Sequence, residues 1–134
     1  MNDNIPLLYN QQVLADPTDN IVEEQCTRSL NLNERTLKLD SKQSDTPEDN
    51  EEYGKLYVCV WKGRGIMNDE GAIVKESVEQ FLRKFFYSPL IEEEYKALLS
   101  KVNKLCVPIK ESNEGRTAIK FKNCMIEIIR NAGL

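Results

Sequence analysis

Four cysteines, at 26, 59, 106 and 124, are the residues of this chain best equipped for chemistry. Thiols can ligate zinc, act as nucleophiles or close disulfides, and their spacing and neighbours decide which. No Cys-x-x-Cys occurs and the chain contains no histidine. Zinc-ligand spacings therefore fail, and no His general base, Ser-His-Asp triad or Cys-His pair can be assembled. An even number of cysteines in a small, mostly polar chain fits two disulfides in an oxidising compartment; the alternative is four reduced, buried thiols that pack as small apolar residues.

Other chemical candidates have plainer readings. Gly63-Arg64-Gly65 is too short for a phosphate cradle and follows a helical pattern, so it reads as a helix terminator. Asn68-Asp69-Glu70-Gly71 lacks the alternating ligands and closing Glu of a calcium loop and reads as a turn. Glu92-Glu93-Glu94 suits the first turn of a helix, where acids favour the macrodipole. Adjacent helical residues do not converge, so this run is no catalytic acid pair. No Asn-x-Ser/Thr glycosylation site occurs. The chain is expected to catalyse nothing and to hold neither metal nor cofactor.

The elements that carry these residues are helical. The chain has 134 residues, 40% hydrophobic and 30% charged, which suits a single domain. No apolar run approaches the roughly 20 residues needed to span a bilayer. Asp16-Pro17-Thr18-Asp19 is a helix-start signal ahead of Ile21, Val22 and Cys26. A short second helix is expected from about Asn33 to Leu39, capped by Asn31 or Asn33. Thr46-Pro47-Glu48-Asp49 repeats the start signal, and Tyr53, Leu56, Tyr57 and Val60 then mark one apolar face. Gly54 interrupts that helix at a cost of about 1 kcal/mol relative to Ala, and Gly63 is expected as its left-handed cap.

Val74, Val78, Phe81, Leu82 and Phe85 define a fourth helix, closed by Ser88-Pro89, which also opens a fifth. Ile91, Tyr95, Leu98, Leu99 and Val102 form the fifth face, stopped at Cys106-Val107-Pro108. Lys110 to Gly115 reads as a loop, and Ala118, Phe121, Met125, Ile128 and Ile129 mark a last helix ending near Arg130. The expectation is an all-α fold of about six short helices, with residues 1–16 as an extension and 17–134 as one helical domain. Large apolar side chains on or beside these stripes, among them Trp61, Ile66, Met67, Phe85 and Phe86, either fill a core or enclose an apolar cavity; periodicity does not separate the two.

Charge narrows the partners. Eighteen basic residues against 22 acidic give a net −4, which argues against general nucleic-acid binding. Asp40 to Glu52 holds six acids and one base, whereas Lys96 to Arg130 tilts basic. The plain reading is two solvated faces; the sharper one is an acidic interaction segment.

From Asn20 to Arg130 the sequence resembles the insect odorant-binding (pheromone-binding-like) proteins. The resemblance rests on Cys26 in a first helix, Lys55-Leu56-Tyr57-Val58-Cys59-Val60-Trp61-Lys62, and Gly65-Ile66-Met67-Asn68-Asp69-Glu70-Gly71. It continues in Gly115-Arg116-Thr117-Ala118 through Phe121-Lys122-Asn123-Cys124. Six cysteines are usual in that family. Lys55 and Gly115 stand where the second and fifth would be, and those two bond to each other in the family. Losing both ends of one bridge is the pattern of the "minus-C" subgroup.

The resemblance implies the pairs Cys26–Cys59 and Cys106–Cys124, and a secreted, non-catalytic carrier holding one small apolar molecule such as an odorant or pheromone. It implies ligand contacts from Tyr57, Trp61, Ile66, Val78, Phe81, Leu82, Leu98, Phe121, Met125 and Ile128. Tyr53, Tyr57, Tyr95 and Thr117 are candidates for the polar groups that set specificity, and Trp61 for a wall residue whose fluorescence reports occupancy. Leu56, Tyr57 and Val60 are expected to pack on Ala118, Phe121 and Met125 in place of the missing bridge. The protein is expected as a monomer or weak homodimer, without nucleic acid or membrane span. Without histidine, a release switch at pH 5–6 of the kind common in that family is not expected. The rival reading is an intracellular acidic helical interaction protein with free thiols.

Overall fold

The computed structural model describes residues 21–88 and 90–133. Among them are six helices: α1 (Ile21–Ser29), α2 (Glu34–Asp40), α3 (Glu51–Gly63), α4 (Lys75–Phe86), α5 (Glu92–Leu105) and α6 (Glu114–Asn131). The fold is all-α; beyond the helices these residues form a lone antiparallel bridge between Met67 and Ile73.

Three helices start on asparagines whose side-chain oxygens take up amide donors that a helix N-terminus leaves without partners. Asn33 accepts from the Arg35 amide at 2.7 Å, Asn50 from Tyr53 at 2.9 Å and Asn113 from Arg116 at 3.1 Å. Asn33, not Asn31, is therefore the cap of α2. The third helix does not begin at Thr46-Pro47. Thr46 is only 3% exposed, and Asn123 of α6 brackets its backbone, accepting from its amide at 3.2 Å and donating to its carbonyl at 2.9 Å. Thr46 is thus an anchor against α6, and the cap falls to Asn50.

Other boundaries move for similar local reasons. Gly63 remains helical, Arg64 is the C-cap, and the left-handed residue is Gly65 (φ 76°). The chain then turns back so that the Val74 amide donates to the Ile66 carbonyl at 2.7 Å. Asn68 accepts from the amides of Glu70 and Ala72, closing a turn completed by Gly71 (φ 78°). Helix α5 starts at Glu92, not at Ser88-Pro89: Glu94 reaches back to accept from the Ile91 amide at 3.3 Å. Ile91, expected on the buried face, is 63% exposed because it stands outside the helix that would have turned it inward. Glu114 and Gly115 belong to α6 rather than to the preceding loop. The expected start at Asp16-Pro17 and the helical placement of Pro89 lie outside the described residues.

The centre of the molecule is the pairing of α3 with α6, the most extensive helix contact. Leu56, Tyr57, Val60 and Trp61 are buried on α3, and Ala118, Phe121 and Met125 on α6. Trp61 donates its indole N–H to the Ala118 carbonyl at 3.1 Å and meets Phe121 edge-on with ring centroids 5.5 Å apart. Cys26–Cys59 joins α1 to α3, and Cys106–Cys124 joins the end of α5 to α6. All four cysteines are bonded, in the pairs that the resemblance implies.

Candidate functional site

A cavity of about 350 Å³ opens beside the α3–α6 pair. Its apolar wall comes from Leu37 of α2, Val60 and Trp61 of α3, Phe81 of α4, and Met125 and Ile126 of α6. Tyr57 and Lys122 also line it, and Glu23, Glu24, Lys38, Ser41 and Arg64 complete the lining. A mostly apolar concavity with a few convergent polar groups is the usual form of a small-molecule site. Helical periodicity places Tyr57, Val60 and Trp61 on one side of α3, and Lys122, Met125 and Ile126 together on α6.

Aromatic rings fix the wall. Trp61 stacks on Tyr57 at 6.1 Å and meets Phe81 edge-on at 6.4 Å. Arg64 locks the α1 side: its guanidinium donates to both carboxylate oxygens of Glu23, at 2.9 and 2.8 Å. The same guanidinium lies 5.6 Å from the Phe81 ring centroid, within cation–π range. A paired, forked contact of this kind sets orientation as well as attraction.

The polar part of the wall is a closed network. Lys122 is 1% exposed. Its ammonium donates to the carbonyls of Asp40 (3.1 Å) and Gln43 (2.7 Å) and to the Thr46 hydroxyl, and lies 3.5 Å from the Asp40 carboxylate. The Thr46 hydroxyl in turn donates a hydrogen bond to the Asp40 carboxylate at 2.9 Å, and Tyr57 donates to Asp40 Oδ2 at 2.6 Å. Burial pulls the Lys122 amine below the ordinary lysine range, against the opposing pull of Asp40. Burial first, then the hydrogen bond to Asp40, pushes the Tyr57 phenol far above its ordinary range. Such a network is tolerated inside a protein because each member is satisfied.

Of the ten residues expected to touch ligand, the structure brings Tyr57, Trp61, Phe81 and Met125 together on this wall. Ile66, Val78, Leu82, Leu98, Phe121 and Ile128 are buried in the surrounding core and do not line it. Among the candidate polar groups, Thr117 accepts from the Glu111 amide at 2.8 Å, and Tyr95 donates to the Glu79 carbonyl at 3.4 Å. Neither hydroxyl, nor that of Tyr53, belongs to the cavity lining. Leu37, Val60, Ile126 and Lys122 line it outside the ten expected contacts, Val60 having been expected only as a packing residue against α6. Lys122 carried a legible signal: Ala118, Lys122, Met125 and Ile129 are spaced four, three and four apart, so the lysine stands in the apolar seam of α6.

A second concavity, of about 580 Å³, lies where α3 and α6 begin, lined by Asn50, Gly54, Lys55, Cys59, Asn113 and Gly115 among others. It contains both positions at which the resemblance lacks cysteines. It is the larger space, but Val58 is its one large apolar side chain and it has no aromatic ring, whereas the first cavity gathers Leu37, Val60, Trp61, Phe81, Met125 and Ile126.

The model of the PBP/GOBP family matches residues 19–128 of the chain. Pheromone binding protein 3 of Epiphyas postvittana has a similar structure (TM-score 0.63, 19% identity), with 82% of this chain and 94% of that one covered. Odorant-binding protein dmelOBP28a from Drosophila melanogaster is similar at TM-score 0.64 and 18% identity, over 84% and 90% of the two chains. No curated protein sequence gives a significant match. At these identities the structural likeness speaks for the fold, and the family match for descent.

Proposed function

The chain belongs to the PBP/GOBP family, non-catalytic carriers of small hydrophobic molecules, and we propose that it holds its ligand in the cavity between Leu37, Val60, Trp61, Phe81, Met125 and Ile126. The observation that carries this reading is the aromatic and aliphatic wall itself: about 350 Å³ suits one small apolar molecule. Burial of such a ligand gains about 25 cal/mol per Å² removed from water, offset by lost freedom, which suits micromolar binding. Odorants and pheromones are the ligand class that the relatives' names bring to this chain. Residues 17–134 are read as the ligand-binding domain, acting as a monomer or weak homodimer, with Ile66, Val78, Leu82, Leu98, Phe121 and Ile128 as supports of the wall.

Filling the cavity tests the site. Ile126 is only partly buried, so Ile126→Trp adds volume at the lining with little crowding of the core. Titration with the fluorescent probe N-phenyl-1-naphthylamine should show micromolar binding to the wild type, weakened at least roughly tenfold in the variant. Equal binding by a folded variant places the ligand elsewhere. Secretion is supported by the two disulfides and by the family. Alkylation of protein from its native source, without reductant, should add no mass; four added groups would favour the interaction-protein reading.

A further inference from the structure

We propose that the cavity selects ligands carrying a hydrogen-bond donor, a hydroxyl above all, over aldehydes and ethers of the same length, because the protons of its inner polar wall are committed to Asp40 and its loop. The proposal rests on this cavity being the ligand site. Two of the polar residues lining the cavity are buried, Tyr57 and Lys122. An ammonium has three protons and no lone pair. Those of Lys122 go to the carbonyls of Asp40 and Gln43 and to the Thr46 hydroxyl. A phenol has one proton, and that of Tyr57 goes to Asp40 Oδ2 at 2.6 Å.

The direction of these bonds is fixed by charge. The Asp40 carboxylate receives Tyr57 and Thr46 and faces the Lys122 ammonium, so donation runs toward it from every side. Turning the phenol toward a ligand carbonyl would strip Asp40 of one donor and leave a half-buried carboxylate short of a partner, a cost that one new bond does not recover. The Tyr57 oxygen keeps free lone pairs and can only accept. At the lining's edge, Glu23 and Glu24 are acceptors as well. Ser41 gives its proton to the Lys38 carbonyl at 3.0 Å, and Arg64 directs Nε and Nη2 to the Glu23 carboxylate. Lys38 is solvent-exposed, where a hydrogen bond to ligand competes with water.

The test compares 1-decanol, decanal and 1-methoxynonane, matched in size and differing in whether the oxygen carries a proton. Binding to the full chain is read by Trp61 fluorescence and by calorimetry. The alcohol should bind roughly 3- to 10-fold more tightly than either analogue, the worth of one buried hydrogen bond. Tyr57→Phe should erase that preference, so that the alcohol and the ether bind the variant equally. Equal or weaker binding of the alcohol by the wild type overturns the proposal and leaves the carrier reading standing. A preference that survives in a folded Tyr57→Phe protein also overturns it. Failure of all three ligands to bind overturns both. The wild-type comparison decides the matter even where the variant does not fold.

Discussion

A Cβ built on Gly54 would lie 3.2 Å from the Cα of Gly115, and one built on Gly115 would lie 3.3 Å from the Cα of Gly54. Helices α3 and α6 therefore meet backbone to backbone at their N-terminal ends. The contact lies one residue from Lys55, and at Gly115 itself, where the resemblance lacks its two cysteines. Close glycine packing occupies the place of the missing bridge, and it explains a glycine inside a helix that would otherwise favour Ala.

Gly54→Ala should lower stability. The gain in helix propensity is about 1 kcal/mol, whereas a methyl pressed on backbone that cannot rotate away costs about 1–3 kcal/mol. A net loss of about 1 kcal/mol is expected, read as a fall in the midpoint of thermal unfolding. A rise would mean that the helices part easily.

The double variant Lys55→Cys/Gly115→Cys should raise the melting temperature and slow ligand exchange once oxidised. Closing a loop of about 60 residues is worth roughly 4 kcal/mol by chain entropy. The observed gain should be smaller, because a Cβ at 115 meets Asn113 Oδ1 at 3.0 Å as well as Gly54. Thermal melts of the oxidised and reduced forms, with stopped-flow ligand exchange, check both effects. No change in either would show that this contact does not limit opening.

Lys122→Met should cost about 3–5 kcal/mol, the usual result of removing one partner from a buried ion pair. The Asp40 carboxylate, the carbonyls of Asp40 and Gln43, and the Thr46 hydroxyl would all lose a partner. The segment between α2 and α3 would then loosen from α6, beside the cavity. Urea unfolding measures the loss, and hydrogen exchange at residues 40–46 should rise.

Stability should fall above about pH 10, and Tyr57→Phe should blunt the fall. The folded-state pKa of Tyr57 is raised, so above the ordinary phenol value the unfolded chain releases its proton first. The folded state then binds more protons, and stability declines with rising pH. Tyr53 and Tyr95 are raised as well and act in the same direction. Lys122 acts oppositely: its lowered pKa makes the unfolded chain the stronger proton binder, so it favours folding as pH rises toward the ordinary lysine value. Denaturant midpoints from pH 7 to 11.5 for wild type and Tyr57→Phe separate the phenol from the rest.

Much of the fold was legible because helical periodicity is a local property. The stripes of α3, α4 and α6 are written in Tyr57, Val60, Val78, Leu82, Ala118, Phe121 and Met125, and each of these is buried. The family resemblance supplied the cysteine pairing, which spacing alone leaves open. Starting points were less legible, because Thr-Pro is a start signal only where nothing else competes for the hydroxyl. Thr46 was taken by Asp40 and Lys122.

The sequence by itself determined that this is a helical, histidine-free chain without zinc-ligand spacing, since periodicity, composition and residue spacing are sufficient for those conclusions. Only the tertiary structure decided which apolar residues border a space and which fill one. Trp61 and Phe81 face the cavity, while the equally apolar Leu82 and Phe121 do not. Periodicity tells which side of a helix turns inward, but a cavity is what remains between several helices after they pack. The same holds for Lys122 and Asp40, 82 residues apart, whose pairing turns a charge that reads as solvated into part of the wall.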